Sequence, residues 1–176
     1  MPNLAYLSLG SNLGDRGALL RDAIARLAGL GNVVAVSSFY ETEPVEFTDQ
    51  DWFLNCAVAL ETKESPTQLM AALLQIELQM GRQRIQKKGP RTIDIDILLF
   101  GDSIVSTPEL TIPHPAMATR RFVLEPLTEI APDVMHPVLK KTIGKLLEEL
   151  PAGQAVRRVA VQAKDRRPTT DRLKAE

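Results

Sequence analysis

The chain lacks most of the features that would commit a protein to a special class. Its one cysteine, Cys56, excludes an internal disulfide and a cysteine-based metal framework. That thiol lies in the apolar run 53–60, where it is expected to act as a small buried hydrophobe. Aromatic residues are 5% of the chain and no aromatic-rich RNP motif occurs, which argues against a surface that stacks nucleic-acid bases. Neither sign of charge dominates: 21 Lys and Arg face 22 Asp and Glu, a net charge of −1. No global field therefore draws the protein to nucleic acid or to an anionic membrane, and electrostatic arguments must be local. No apolar run approaches the ~20 residues that span a bilayer. The N-terminus also has no basic region leading into a long apolar stretch. Neither a membrane span nor a signal peptide is expected, and the cytoplasm is the expected location. Both glycine-rich nucleotide motifs, G-x-x-x-x-G-K-[ST] and G-x-G-x-x-G, are missing. A bound nucleotide would have to be held by side chains.

What is present is an ordinary globular composition, 44% apolar and 24% charged, at a length that suits one domain. Residues 4–9 read as a strand running into the turn-forming cluster Gly10-Ser11-Asn12-Leu13-Gly14. Asp15 is placed to cap a helix whose apolar positions, Leu19, Leu20, Ala23, Ile24 and Leu27, recur at helical spacing. Gly29 and Gly31 stop it. Residues 33–40 read as a second strand, 42–51 as a polar loop containing Pro44, and 52–60 as a third strand. Ser65-Pro66-Thr67-Gln68 is a capping box with proline at the first helical position. The helix it opens carries the stripe Leu69, Leu73, Ile76 and Met80, with Gly81 where a left-handed residue would end it. A basic loop, a strand over 92–100 and a proline-rich stretch with short helical pieces follow to about residue 150. The order β-α-β-β-α-β is that of a ferredoxin-like split βαβ fold. The expected class is α+β, a mainly antiparallel sheet with helices on one face and C-terminal additions. One domain over 1–150 is expected, followed by a basic, mobile tail over 151–176.

The chemistry concentrates in Thr92-Ile93-Asp94-Ile95-Asp96-Ile97-Leu98. As a strand, this segment turns the three isoleucines to one face and Asp94 and Asp96 to the other, with the aspartate Cα atoms ~6.6 Å apart. Aspartate is depleted in strands, and two carboxylates on one face repel. A divalent cation resolves the conflict, and carboxylate oxygens suit magnesium. A solvated polar face of an edge strand is the alternative. Residues 81–91 tip the balance, because they carry Arg82, Arg84, Lys87, Lys88 and Arg91 with no acidic residue. Cations and carboxylates on one short segment match a metal-bridged polyphosphate, whose oxygens each need a metal or a guanidinium partner.

At Gly89-Pro90-Arg91-Thr92-Ile93-Asp94-Ile95-Asp96-Ile97-Leu98 the sequence resembles the signature of the 6-hydroxymethyl-7,8-dihydropterin pyrophosphokinases of folate biosynthesis. The likeness extends over Leu9-Gly10-Ser11-Asn12-Leu13-Gly14, Ser38-Phe39-Tyr40-Glu41-Thr42, Phe53-Leu54-Asn55 and Ile76-Glu77 with Gly81-Arg82. It continues through Ile112-Pro113-His114-Pro115 to Arg120 and Phe122. The resemblance implies transfer of the β,γ-pyrophosphoryl group of ATP to the pterin hydroxymethyl group, with release of AMP. It implies that Asp94 and Asp96 bind two Mg2+ ions on the ATP triphosphate, with Asp94 also facing the pterin. Arg82 and Arg91 would assist transfer. Glu77, Arg84, Arg91, Thr111, His114 and Arg120 would contact ATP. Phe53 and Phe122 would stack on the pterin ring, while Asn55 and the backbone of Thr42 and Val45 would read its edge. Lys88 stands where some relatives carry an aromatic residue, and Glu109 where some carry an arginine. Either Asp96 or the metal-lowered acidity of the hydroxyl would serve as base. ATP and the pterin are the expected partners, without nucleic acid or membrane. A monomer is expected, with a dimer as the alternative.

Overall fold

The structure is a computed structural model that describes residues 2–43, 52–81, 92–153 and 155–159. Alternation alone leaves the strand order open; pairing resolves it. The first strand, β1 (Asn3–Ser11), lies between β4 (Phe53–Thr62) and β5 (Asp94–Phe100), antiparallel to both. The far side of β4 is shared by β2 (Asn32–Val36) and β3 (Tyr40–Thr42), again antiparallel. The helix α1 (Arg16–Leu27) links β1 to β2, and α2 (Pro66–Gln79) links β4 to β5. This is the ferredoxin-like order, with β4 inserted between β1 and β2.

The local signals in the sequence act as expected at both helices. The Asp15 carboxylate accepts from the Ala18 N–H at 3.2 Å. At α2 the Ser65 hydroxyl accepts from the Gln68 N–H, while the Gln68 side chain accepts from the Ser65 N–H. Gly81 takes a positive φ of 92° just past its end. Leu20, Ala23 and Leu27 of α1 and Leu69, Leu73 and Ile76 of α2 meet Leu7, Leu9, Ile95 and Ile97 in one core. Cys56 is fully buried there, and burial pushes its thiol pKa far up, so it stays protonated and inert.

Four expectations need correction. The expected strand over 33–40 is two strands, because the chain breaks at 37–39, where the Ser37 hydroxyl accepts from the Ala57 N–H at 2.9 Å. Gly10 and Ser11 belong to β1 rather than to the turn after it. Helices cover both faces of the sheet. The C-terminal additions include α3 (Arg121–Ile130) and α4 (Ile143–Glu149), which pack on the face opposite α1 and α2. Their Val123, Leu124, Leu127, Ile143 and Leu146 join Tyr6, Ala57, Ala59, Leu98 and Leu99 in a second core. Finally, the basic tail is not wholly detached: β8 (Val156–Arg158) pairs with β3 and ends the sheet. Backbone pairing and ion pairs outweigh the polar composition at those three residues; residues 160–176 lie outside the described ones. Between β5 and α3 the chain also forms a small hairpin, β6 (Val105–Ser106) with β7 (Thr111–Ile112).

Packing of α4 depends on a turn closed by His136, which is 5% exposed. Its Nδ1 accepts from the N–H groups of Val138 and Leu139 at 3.2 and 3.0 Å, so the ring is neutral when the turn is intact. Burial lowers its pKa below the ordinary 6.5. Between the lowered value and 6.5 the unfolded chain binds a proton that the folded chain refuses, so stability falls as pH drops from about 6.5. Urea midpoints measured from neutral to mildly acidic pH should decline over that window. His136→Asn, whose amide oxygen still accepts but does not titrate there, should decline less.

Candidate active site

One row of residues runs straight across the sheet: Asp94 of β5, Gly10 of β1, Asn55 of β4 and Tyr40 of β3. Directly paired residues in an antiparallel sheet share a face, so these side chains project together on the α3 side. The neighbouring row places Asp96 opposite Ser8 and Ser8 opposite Ala57. Phe53 pairs with Thr42 at the open end of the same face. Asp94 and Asn55 are thus about two strand spacings apart, ~9.6 Å, with a glycine between them. A Cβ at Gly10 would lie 2.7 Å from Asn55 Oδ1 and 3.8 Å from the Phe53 ring. The missing side chain is what keeps the floor open. Asp94, Asp96 and Phe53 are partly exposed, whereas Asn55 and Thr42 are buried.

Burying Asn55 is tolerated because its amide is paired: Nδ2 donates to the Thr42 hydroxyl at 2.8 Å. Thr42 therefore acts through its side chain on Asn55 in addition to any backbone role. Tyr40 is covered by α3, where its phenol donates to Glu129 at 2.7 Å. Burial first, then the bond to Glu129, pushes that phenol's pKa far up, so it remains a donor. Glu129 also accepts from the Ser38 N–H and hydroxyl, closing the broken end of β3 against α3.

β5 is an edge strand in the larger sheet, and its outer edge is held at two points. The Ile95 N–H donates to Glu77 Oε2 at 2.7 Å, and the Leu98 carbonyl accepts from the His114 N–H at 3.0 Å. Glu77 is 2% exposed, so the structure gives it a role in holding the aspartate strand. At the edge of the stripe Leu69, Leu73, Ile76 and Met80 a solvated carboxylate would be normal, so this burial is not legible from the helix pattern.

His114 follows a cis Ile112–Pro113 bond. Its Nδ1 accepts from the Ala116 N–H at 3.1 Å, leaving the neutral ring's proton on Nε2 as a donor. Burial chiefly, then the positive charge of Arg120, lowers its pKa, while Asp94 raises it. His114, Arg120 and Asp94 therefore share one electrostatic neighbourhood. Arg120 precedes the first residue of α3 without a side-chain cap, and its guanidinium carbon lies 5.5 Å from the Phe122 ring centroid. Thr111 opens β7 and is exposed, and Glu109 sits in the exposed turn of the β6–β7 hairpin. Arg82, Arg84, Arg91 and Val45 lie outside the described residues.

Asp94 and Asp96 offer hard oxygen donors on one face beside a glycine and a serine, a donor set that fits Mg2+. Among the described residues no cluster of three or more His, Cys, Asp or Glu could hold a metal by itself. The fit is to an ion shared with a ligand, as magnesium is when phosphates complete its shell. No helix among those residues is long and apolar enough to cross a membrane.

The profile of the 7,8-dihydro-6-hydroxymethylpterin-pyrophosphokinase family (HPPK) matches residues 6–132. The 2-amino-4-hydroxy-6-hydroxymethyldihydropteridine pyrophosphokinase of Bacillus subtilis is 48% identical over 136 residues, covering 76% of this chain and 81% of that one. The protein of the same name from Methylorubrum extorquens is 46% identical over 146 residues, 81% of this chain and 92% of that one. Among solved structures, wild-type Plasmodium falciparum HPPK-DHPS with pteroate superposes with a TM-score of 0.70 at 19% identity. That match covers 85% of this chain but only 42% of the longer Plasmodium chain, and it speaks to the fold. On the family profile and the two bacterial relatives, the chain belongs to the 7,8-dihydro-6-hydroxymethylpterin-pyrophosphokinase family.

Proposed function

We propose that the row Asp94–Gly10–Asn55 is the reaction centre of this pyrophosphokinase, with the phosphate end at Asp94 and the pterin end at Asn55. The protein transfers pyrophosphate from ATP to the hydroxymethyl group of 6-hydroxymethyl-7,8-dihydropterin in folate synthesis. The observation that carries the site assignment is the gap at Gly10, a side-chain-free strip between a carboxylate pair and a buried amide.

Asp94 and Asp96 would hold two Mg2+ ions against the triphosphate. When bound, magnesium supplies charge neutralisation and aligns attacking and leaving oxygens for in-line displacement. The chain's own residues do the rest. Asn55, fixed by Thr42, offers its amide to the pterin edge, and Phe53 and Phe122 provide apolar faces for a flat ring. His114 Nε2–H and the Arg120 guanidinium present donors to ATP beside Asp94. Glu77 reaches ATP indirectly, by fixing β5, and Thr111 contributes from the hairpin that leads to His114. Arg82 and Arg91 would neutralise charge developing in the transition state, with Arg84 on ATP and the Val45 backbone on the pterin. Asp96 or the metal-acidified hydroxyl accounts for the proton. A single-domain cytoplasmic monomer completes the reading.

Mixing protein, Mg2+, ATP and the hydroxymethyl pterin should yield AMP. ADP would indicate an ordinary kinase, and no turnover a binding protein. Asp94→Ala should reduce AMP formation by about 100-fold or more even at saturating magnesium, the scale on which transition-state electrostatics operates; near-normal rates would defeat the metal assignment. Gly10→Ala should raise the KM for the pterin by about tenfold while sparing that for ATP, as the new methyl displaces the Asn55 amide. Equal pterin KM values in the two proteins would remove Asn55 from the pterin site.

A further inference from the structure

Thr42 and Phe53 form the outermost rung of β3 and β4, and each is followed or preceded by a residue gripped from the opposite face of the sheet. Glu41 alternates with Thr42 and so points away from the site. Its Oε2 accepts from Arg16, the first residue of α1, at 2.8 Å, and its Oε1 accepts from both Nε and a terminal nitrogen of Arg157 at 3.1 and 2.8 Å. Trp52, immediately before Phe53, is held by the same two arginines. Arg16 donates to the Trp52 carbonyl at 2.8 Å, and the Arg157 guanidinium carbon lies 4.9 Å from the Trp52 ring centroid. Each arginine thus touches both Glu41 and Trp52, bridging the ends of two strands. Arg157 comes from β8, directly opposite Glu41 in the sheet, and is 116 residues distant in sequence.

We propose that Arg157, acting through Glu41 and Trp52 together with Arg16, is a positioning residue for the pterin side of the reaction, keeping Thr42, Phe53 and Asn55 in binding register. This rests on the assignment of those three residues to the pterin. Burial favours the neutral Glu41 carboxyl, but the bonds from Arg157 and Arg16 outweigh it and hold its pKa below the ordinary range, so the clamp is charged at neutral pH. The Glu41 side chain is only 20% exposed, while that of Arg157 is 68% exposed. An ion pair so open adds little to global stability. Fraying of a strand end, however, is a low-energy local event that such a contact suffices to suppress. A site that is competent only a tenth of the time binds with about tenfold weaker apparent affinity, and the loss is confined to the ligand that reads the frayed end.

The test is steady-state kinetics on the full chain with Arg157→Ala, Glu41→Gln, Arg157→Lys and the Arg157→Ala/Glu41→Gln double variant, beside fluorescence titration of the pterin without ATP. Arg157→Ala and Glu41→Gln should each raise the pterin KM and Kd by about threefold to tenfold. The ATP KM, the kcat at saturating pterin and the thermal midpoint should stay close to those of the unsubstituted protein. The double variant should be no worse than the poorer single one, because both remove the same contact. Arg157→Lys, which keeps charge without the planar fork, should recover part of the loss. An unchanged pterin KM in both single variants overturns the proposal. So does a rise matched by ATP KM, kcat or lost thermal stability, which would mark the clamp as merely structural. AMP production by the unsubstituted protein, assayed alongside, tests the pyrophosphokinase reading separately.

Discussion

Strand alternation along β5 is the constraint on which the site depends. Ile95 and Ile97 are almost wholly buried against α1 and α2, and Asp94 and Asp96 occupy the opposite face because they alternate with them. A slip of one residue would carry the isoleucines out of the core, at ~1.5–3 kcal/mol each, and drive two carboxylates into it, which costs more. The aspartates are therefore kept on their face by the side chains that do no chemistry. Pairing with β1 on one side and the contacts from Glu77 and His114 on the other fix the strand along its length as well.

The second layer of helices decides how much of that face remains available. Tyr6, Ala59, Leu98 and Leu99 are sealed by Leu124, Leu127 and their neighbours on α3 and α4. Asp94, Asp96 and Phe53 stay partly exposed on the same face, and the charges of Asp94 and of Arg120, just before α3, both act on His114. An exposed strip bordered by apolar packing lets charged groups keep some hydration until a ligand replaces it.

Signals carried by neighbouring residues were legible in the sequence. The capping box at Ser65, the cap at Asp15, the glycine after α2 and the alternation of Asp94 and Asp96 all depend on spacings of two to four residues, and all appear in the structure. Features set by distant pairing were not. The break between β2 and β3 is created by Ser37 bonding to Ala57, twenty residues away, and nothing in the local pattern of residues 33–40 announces it. Gly10 read as part of a turn, because glycine is a turn residue by default; its role as a gap beside Asn55 exists only once β4 is alongside. A basic composition likewise hid β8, since the partner that makes it a strand is β3. Within the site, the carboxylate pair was readable from residue chemistry, whereas Phe53 and Phe122 look like any core phenylalanine and were assigned through family resemblance. The strand-holding role of Glu77 was not readable either, since it rests on a partner, Ile95, eighteen residues away.

That bond between Glu77 and Ile95 joins the last turn of α2 to the start of β5. The strand that carries the aspartates is thereby fixed to a helix on its apolar side as well as to β1 along its length. Coordination of a hard cation tolerates displacements of only a few tenths of an ångström, and a side chain on a freely moving segment cannot hold its oxygens to that. A pleated strand pinned at both edges can, because the pleat sets the spacing of Asp94 and Asp96 and the pinning sets where that spacing lies. Glu77 thus serves the carboxylate pair from the far side of the strand, through backbone rather than through the pair itself.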